Sequence, residues 1–462
     1  MPAPRNLLST ALLLALALAA GCRADAPEAA PEAAPDAPGA PASSESAPSD
    51  AAAASDAAAT AAPAPADAAR LIQPADLVYR GAFRLPEGSG GSDWAWSGDG
   101  LAYYPDGDPK GPADGHPGSL FGIGHDHQHS VSEISIPAPV VSASKRPADL
   151  PTAATLQPFA DLRAGGFQDY EIYRSGLEYL PARGKQTSGK LYLSFGQHMQ
   201  EGFAGPSHLW ADLDLARPRV AGPWKIGDFP NYCTTDYIFA IPPDWAAAHT
   251  PGRLLATGRF RDGGQGSMGP TILAYGPWNE GNPPPAGARL QAAPLLLYSP
   301  VTDEQPHTLR DYHHADEWEG AAWLTAGPKA AVVFLGTKGL GKCWYGFADG
   351  TVWPDEEPFP PIPPPPNDER GWWSTRFEAR MMFYDPADLA AVADGKRQPW
   401  EPQPYATAAI DDRLFLQGRP QRKHRVRAAA FDRARGHLYV FEPFADEDQK
   451  SLLHVWTVAP KP

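Results

Sequence analysis

The amino-acid sequence predicts an all-β domain assembled from repeated four-stranded sheets. Three observations lead there. Glycine and proline are abundant and apolar runs are short. Long amphipathic helical stretches are scarce, with Asp385 to Asp394 the nearest exception. A four-part pattern of apolar runs recurs along residues 70–462, and the first 69 residues carry none of it.

The N-terminal elements come first. Arg5 supplies a positive charge, residues 7–20 are apolar apart from Ser9 and Thr10, and Gly21-Cys22 follows. This reads as a signal peptide over residues 1–21, too short for a permanent span, which needs about 20 apolar residues. Its end, LAAGC, resembles the lipobox of bacterial lipoproteins, although Ala19 stands where Leu is more usual. The resemblance implies that Cys22 carries a diacylglyceryl group and is a membrane anchor. It also implies outer-membrane localisation in the cell envelope, since Arg23 rather than Asp follows the cysteine. Residues 22–69 are then almost entirely Ala, Pro, Asp, Glu and Ser, with eight acids against one base. Such a segment buries too little apolar surface to offset its ordering entropy. It is expected to be a disordered linker, extended by proline and like charge, reaching at least about 40 Å.

The strands follow in order. First runs are GLAYYP from Gly100, GLEYLP from Gly176, YIFAIP from Tyr237, AAWLTAG from Ala321 and AAAFDRARG from Ala428. Second runs start at Ser119, Lys190, Arg253, Ala330 and His437, and third runs at Ser132, His208, Pro270, Ala379 and Leu452. Fourth runs start at Ala154, Val220, Leu290 and Tyr405, and the last set lacks one. The run LVYRGAFRLP from Leu77 is left over and would supply it. Repetition of this kind resembles β-propellers, with no WD or kelch signature. The count implies a five-bladed propeller whose first strand closes the ring; six blades, or a pair of β-sandwiches, are the alternatives. First runs lie further apart than the 40 to 50 residues usual for propeller repeats, so the surplus is expected in long loops.

In a meander, the loops between second and third strands share a face with the loops that lead into each blade. That top face gathers His125, His127 and His129, then His198, Arg259, Arg261, Lys338, Trp344 and Cys343. The leading loops add Asp93, Trp94, Trp96, Glu171, Cys233, Asp236, Glu317, Trp318, Glu319, Arg425 and Arg427. Alternate residues of an extended strand point the same way, so His125, His127 and His129 could hold a divalent metal, with His198 the outside contributor. Asp93, Glu171, Asp236, Glu317 and Glu319 stand where first strands begin and are the candidate catalytic carboxylates. Five-bladed glycosidases such as arabinanases and levansucrases use an axial carboxylate set, and this arrangement is similar to theirs at fold level, without the Trp-Met-Asn-Asp motif. Arg259, Arg261, Lys338, Arg425 and Arg427 suit a phosphate, sulfate or carboxylate. Trp94, Trp96, Trp318, Trp344, Trp372 and Trp373 offer stacking surfaces. The prolines from Pro358 to Pro366 would stiffen an arm able to roof the face. In an oxidising compartment Cys233 and Cys343 would form a disulfide.

Residues 70–462 carry 46 acids and 37 bases, and an exported acidic chain argues against nucleic acid as partner. No Gly-x-Ser-x-Gly elbow and no phosphate-cradling glycine loop after a strand is present. Three functions stay open: a lipid-anchored binder of an anionic or glycan-like small molecule, a glycan- or phosphoester-active hydrolase or lyase assisted by metal, and an envelope assembly platform.

Overall fold

The computed structural model describes residues 69–458, apart from 114, 168–169, 184–185, 198–204, 262–267, 277–282, 300–307 and 417–422. The leader, Cys22, the linker and His198 therefore lie outside the described residues. The described chain is a five-bladed β-propeller. Blade 1 is β2 (Leu101–Tyr104), β3 (Ser119–Ile123), β4 (Val131–Ser135) and β5 (Thr155–Ala160). Blade 2 is β6 (Ile172–Leu180), β7 (Lys190–Gln197), β8 (His208–Ala211) and β9 (Val220–Ile226). Blade 3 is β10 (Ile238–Ala240), β11 (Leu255–Thr257), β12 (Met268–Tyr275) and β14 (Ala292–Tyr298). Blade 4 is β15 (Glu317–Ala326), β16 (Lys329–Gly346), β17 (Gly371–Tyr384) and β18 (Ala406–Ala409). Blade 5 is β19 (Ala429–Asp432), β20 (His437–Glu442), β21 (Leu452–Val458) and, outermost, β1 (Leu77–Arg84).

The N-terminal run does close the ring. β1 pairs antiparallel with β21 from Leu77↔Val458 to Arg84↔Leu452, with a bulge between Tyr79 and Gly81. Burial follows position within a blade. The second strands β3 and β7 are buried throughout, because both faces meet neighbouring blades. The outer β1 and β5 begin with alternation, one face in water. Between blades lie separate apolar cores: Leu120 and Ile134 with Phe441, Phe121 with Leu193, Tyr192 with Tyr275, Phe239 with Phe334, and Val333 with Val440. The radial stack is thus a closed cycle of sheet-on-sheet packings.

The five first strands meet around the axis, which explains their small residues. A Cβ on Gly176 would lie 2.6 Å from the Tyr237 carbonyl carbon, and one on Gly320 would lie 2.3 Å from Arg427 O. Gly100, Gly176, Tyr237 and Ala428 narrow the axis to a residual void of about 10 Å³. That constriction divides the axis into two ends.

Three details differ from the expectation. The Leu290 run is split: β13 (Arg289–Leu290) crosses to pair in parallel with β9 and covers the edge of blade 2 before β14 begins. A short helix, α1 (Pro243–His249), sits between β10 and β11, started by Pro242-Pro243 and too brief to show a helical period. The expected helix near Asp385 is α2 (Pro386–Ala393), whose N-cap Asp385 accepts the Ala387 N–H at 2.8 Å. The proline-rich arm is a continuation of β16 and β17, which pair past a bulge through Cys343↔Ser374, Trp344↔Trp373 and Tyr345↔Trp372. At its tip Trp353 stacks on Phe359 at 4.9 Å.

Candidate functional site at the propeller axis

Each first strand opens with a charged residue at the top of the axis. Asp99 precedes β2, Arg174 lies in β6, Asp236 precedes β10, Glu317 and Glu319 begin β15, and Arg427 precedes β19. All six are buried, none more than 5% exposed. The small residues that let the strands approach follow directly, so these side chains are forced toward one another where the strands begin. Loops supply the rest: Arg259 and Arg261 after β11, Lys423 and His424 before β19, and Glu369 from the arm.

The cluster is cross-linked between blades. Arg174 donates to Glu319 Oε1 at 2.6 Å and lies 3.9 Å from Asp99, while Arg427 lies 3.4 Å from Asp99 and 3.2 Å from Glu319. Glu317 faces Arg261 at 3.1 Å, Lys423 at 3.0 Å and His424 at 3.1 Å. The other His424 nitrogen meets Glu369 at 3.3 Å. Arg259 stands 3.9 Å from Asp236 and donates to the Tyr232 and Arg261 carbonyls at 3.0 and 2.9 Å. Three guanidinium groups, of Arg174, Arg259 and Arg261, lie 5.0 to 5.4 Å from the Phe260 ring centre, within cation–π range.

Protonation divides the carboxylates. Burial raises Asp99 and Asp236 to about 6, against the pull of Arg174 and Arg427 on the first and Arg259 on the second. Burial also works against Glu319, but Arg174 and Arg427 outweigh it and hold the group at about 2. Glu317 lies well below its ordinary value because Lys423 and His424 overcome its desolvation. His424 is pushed up to about 10: burial opposes its charge, and Glu369 and Glu317 more than compensate. Among the described residues six cations, Arg174, Arg259, Arg261, Lys423, His424 and Arg427, therefore face five carboxylates, two of which are raised toward neutrality. Polar atoms remain buried without a well-aligned partner, among them Asp99 Oδ2, Arg259 Nη2 and Glu319 Oε2. A native core leaves few such atoms unmatched, and several of those among the described residues lie in this cluster.

The sequence candidates sort clearly against this geometry. Asp236, Glu317, Glu319, Arg259, Arg261 and Arg427 are in the cluster. Asp93 and Glu171 are exposed: Asp93 Oδ1 accepts the Ala95 N–H at 2.8 Å, closing a turn, and Glu171 is held by its own N–H to Gln197. Asp99 and Arg174 take their places. Lys338 is tied to Asp316 at 2.8 Å, and Arg425 to Asp411 at 3.1 Å and the Phe377 carbonyl at 3.1 Å. Trp94 packs on Phe159 at 4.7 Å in the core between blades 5 and 1, and Trp318 lies in the core between blades 3 and 4, so neither presents a stacking face. Partly exposed rings come from the arm instead, where Trp372 stacks on His314 at 4.3 Å.

The histidine run is not extended. The N–H groups of Gln128 and His129 both donate to the His125 carbonyl, and His129 has φ 49°, so the chain turns back. His129 is sent to the axial cluster, 3.8 Å from Asp99, and burial together with Arg163 lowers it to about 4, neutral at ordinary pH. His125 and His127 stay outside with Asp126, their donor atoms within 4.8 Å of one another. The metal candidate is thus His125, Asp126 and His127, not three histidines. Glu317, Glu319 and His424 are equally close together; Glu369 and Glu317 hold His424 protonated there, so a metal would have to displace that proton.

Cys233 and Cys343 are thiols, which corrects the expected disulfide. Cys233 is buried in the Asn231–Cys233 turn before β10. Cys343, in the extended part of β16, packs instead with Ala315 of the loop before β15 and with Trp373 and Phe377 of β17. Comparison of the chain with protein-family models and with curated proteins gives no match.

Proposed function

We propose that this chain is a lipid-anchored protein of the cell envelope whose propeller binds an anionic ligand, such as an acidic sugar, at the axial cluster of its loop-rich face. One observation carries the reading: six cations converge at the axis on five carboxylates, two of them raised toward neutrality, and the buried Arg259 Nη2 has no hydrogen-bond partner, an arrangement that costs stability unless an anion completes it. The arm contributes Glu369 and partly exposed aromatic rings beside the cluster, which suits a ligand with a carboxylate and a flat face.

Titration calorimetry with glucuronate, sulfate and glucose tests it. Saturable binding of glucuronate or sulfate is expected, with glucose inert and affinity falling as salt rises. Arg259→Gln should weaken that binding by roughly tenfold or more, the worth of a charge-assisted hydrogen bond. Anion affinity unchanged in Arg259→Gln and Arg427→Gln would refute the reading. For the anchor, detergent phase partition of the full chain and of Cys22→Ser decides: the variant should move to the aqueous phase.

A second reading rests on the split between Asp99, raised to about 6, and Glu319, held at about 2, with both facing Arg174 and Arg427. Carboxyl groups driven apart in this way suit general acid and charged stabiliser in glycan hydrolysis. Asp99→Asn should then abolish turnover of an acidic oligosaccharide while leaving its binding intact.

A further inference from the structure

Below the constriction the axis opens again. The far ends of the first strands surround a cavity of about 330 Å³, within the size range of small-molecule sites, on the face opposite the charge cluster. Its walls are apolar and aromatic, with Tyr179, Phe239, Trp323 and Phe431 contributed by four different blades. The void of about 10 Å³ at the constriction separates it from the upper site, so the two ends are distinct.

Few charges reach this cavity. Asp432 is already engaged by the N–H groups of Ala434 and Arg435 and by the Arg435 guanidinium at 3.2 Å. Glu178 accepts the N–H of Tyr179 at 2.8 Å and of Ala240 at 2.9 Å. Arg433 is steered by two long hydrogen bonds, to Thr325 Oγ1 at 3.3 Å and to the Ala240 carbonyl at 3.2 Å. These fix the guanidinium on the wall yet use only part of its donor fork. Arg183 stands at the exposed rim. Burial raises the Glu178 carboxyl to about 7, so it balances Arg433 incompletely at neutral pH. An aromatic-walled cavity with one positioned guanidinium and a partly neutral acid has room for a single negative charge on an otherwise apolar molecule.

We infer that this lower cavity is a second binding site, which takes an amphiphilic monocarboxylate, a short aliphatic or aromatic acid, with its carboxylate on Arg433 and its body against Phe239, Trp323 and Phe431. Polyols and multiply charged sugars do not suit it, because the walls offer them few partners. The site is independent of the upper cluster and of any ligand there.

Calorimetry on the full chain with octanoate, 3-phenylpropionate and the neutral octan-1-ol decides the matter. Octanoate should bind one to one and octan-1-ol about tenfold or more weakly, since a guanidinium–carboxylate pair is what separates them. Arg433→Gln should weaken octanoate by about tenfold and leave octan-1-ol within about twofold. Ala434→Trp, at the exposed mouth, should block both ligands, and Arg376→Gln, exposed on the arm, should alter neither. Absence of saturable octanoate binding, equal affinity for acid and alcohol, or octanoate binding unaffected by Arg433→Gln would each overturn the assignment. Should Arg433→Gln fail to fold, octanoate binding that survives Ala434→Trp overturns it instead.

Discussion

Asp99 and Glu319 share the same two arginines yet are shifted in opposite directions, Asp99 up to about 6 and Glu319 down to about 2; Glu319 takes the short contact with Arg174, while Asp99 is held at 3.4 Å or more. That difference has a measurable sign. Asp99 and Asp236, raised to about 6, lose their charge as pH falls through that value and leave the cationic cluster less compensated. Sulfate affinity should therefore be several-fold higher at pH 5 than at pH 7.5, and Asp99→Asn should flatten the profile. The same raised values mean that these two groups stabilise the unliganded fold below their unfolded range, near 4, and that this contribution is lost as pH rises through about 6. His424, raised to about 10, contributes fully below its unfolded value, near 6.5, and ceases to contribute as pH rises through 10. His424→Ala, which removes one cationic partner from Glu317 and from Glu369, should cost about 1 to 3 kcal/mol near pH 7 by chemical denaturation. At this scale the sequence was readable in part. Asp236 and Glu319 stand where first strands begin and are legible by that rule, and Arg427 is legible as an anion-binding cation of the same face. Asp99 and Arg174 obey it too, but Trp96 and Gly98 at positive φ use up chain after Asp93, and a bulge between Ile172 and Ser175 separates Glu171 from the axis.

The blades themselves were legible strand by strand, since each is a short apolar run bounded by turn residues, and the period of the pattern survives its insertions. What could not be read were features set by contacts between distant segments: the two-residue β13 laid on blade 2, the fold-back of the histidine turn, and the extension of β16 and β17 into an arm. The glycine of each close approach belongs to this scale. Gly320→Ala places a methyl against the Arg427 carbonyl and must push β15 from β19, at a cost of about 1 to 3 kcal/mol. Because Arg427 moves with that strand, the variant should lose sulfate affinity along with denaturant resistance, whereas a substitution in an outer strand should lose only the second.

At the scale of the whole molecule, stability depends on a closed cycle, and the cycle is closed by β1 on β21. Removing residues 1–84 should leave β21 an open edge and give an aggregating or unfolded product, while removing residues 1–69 alone should leave the melting temperature within a few degrees; differential scanning calorimetry of the two truncations separates the cases. The same closure sets a timetable. Tyr79 of β1 hydrogen-bonds His454, 375 residues later in the chain, so at about 5 to 20 residues per second the strand made first waits roughly 20 to 75 s for its partner to be synthesised. During that interval β1 is an unpaired strand with nothing to shield it but its own charges, Arg80 and Arg84. The ring cannot close until the last strand, β21, has been made.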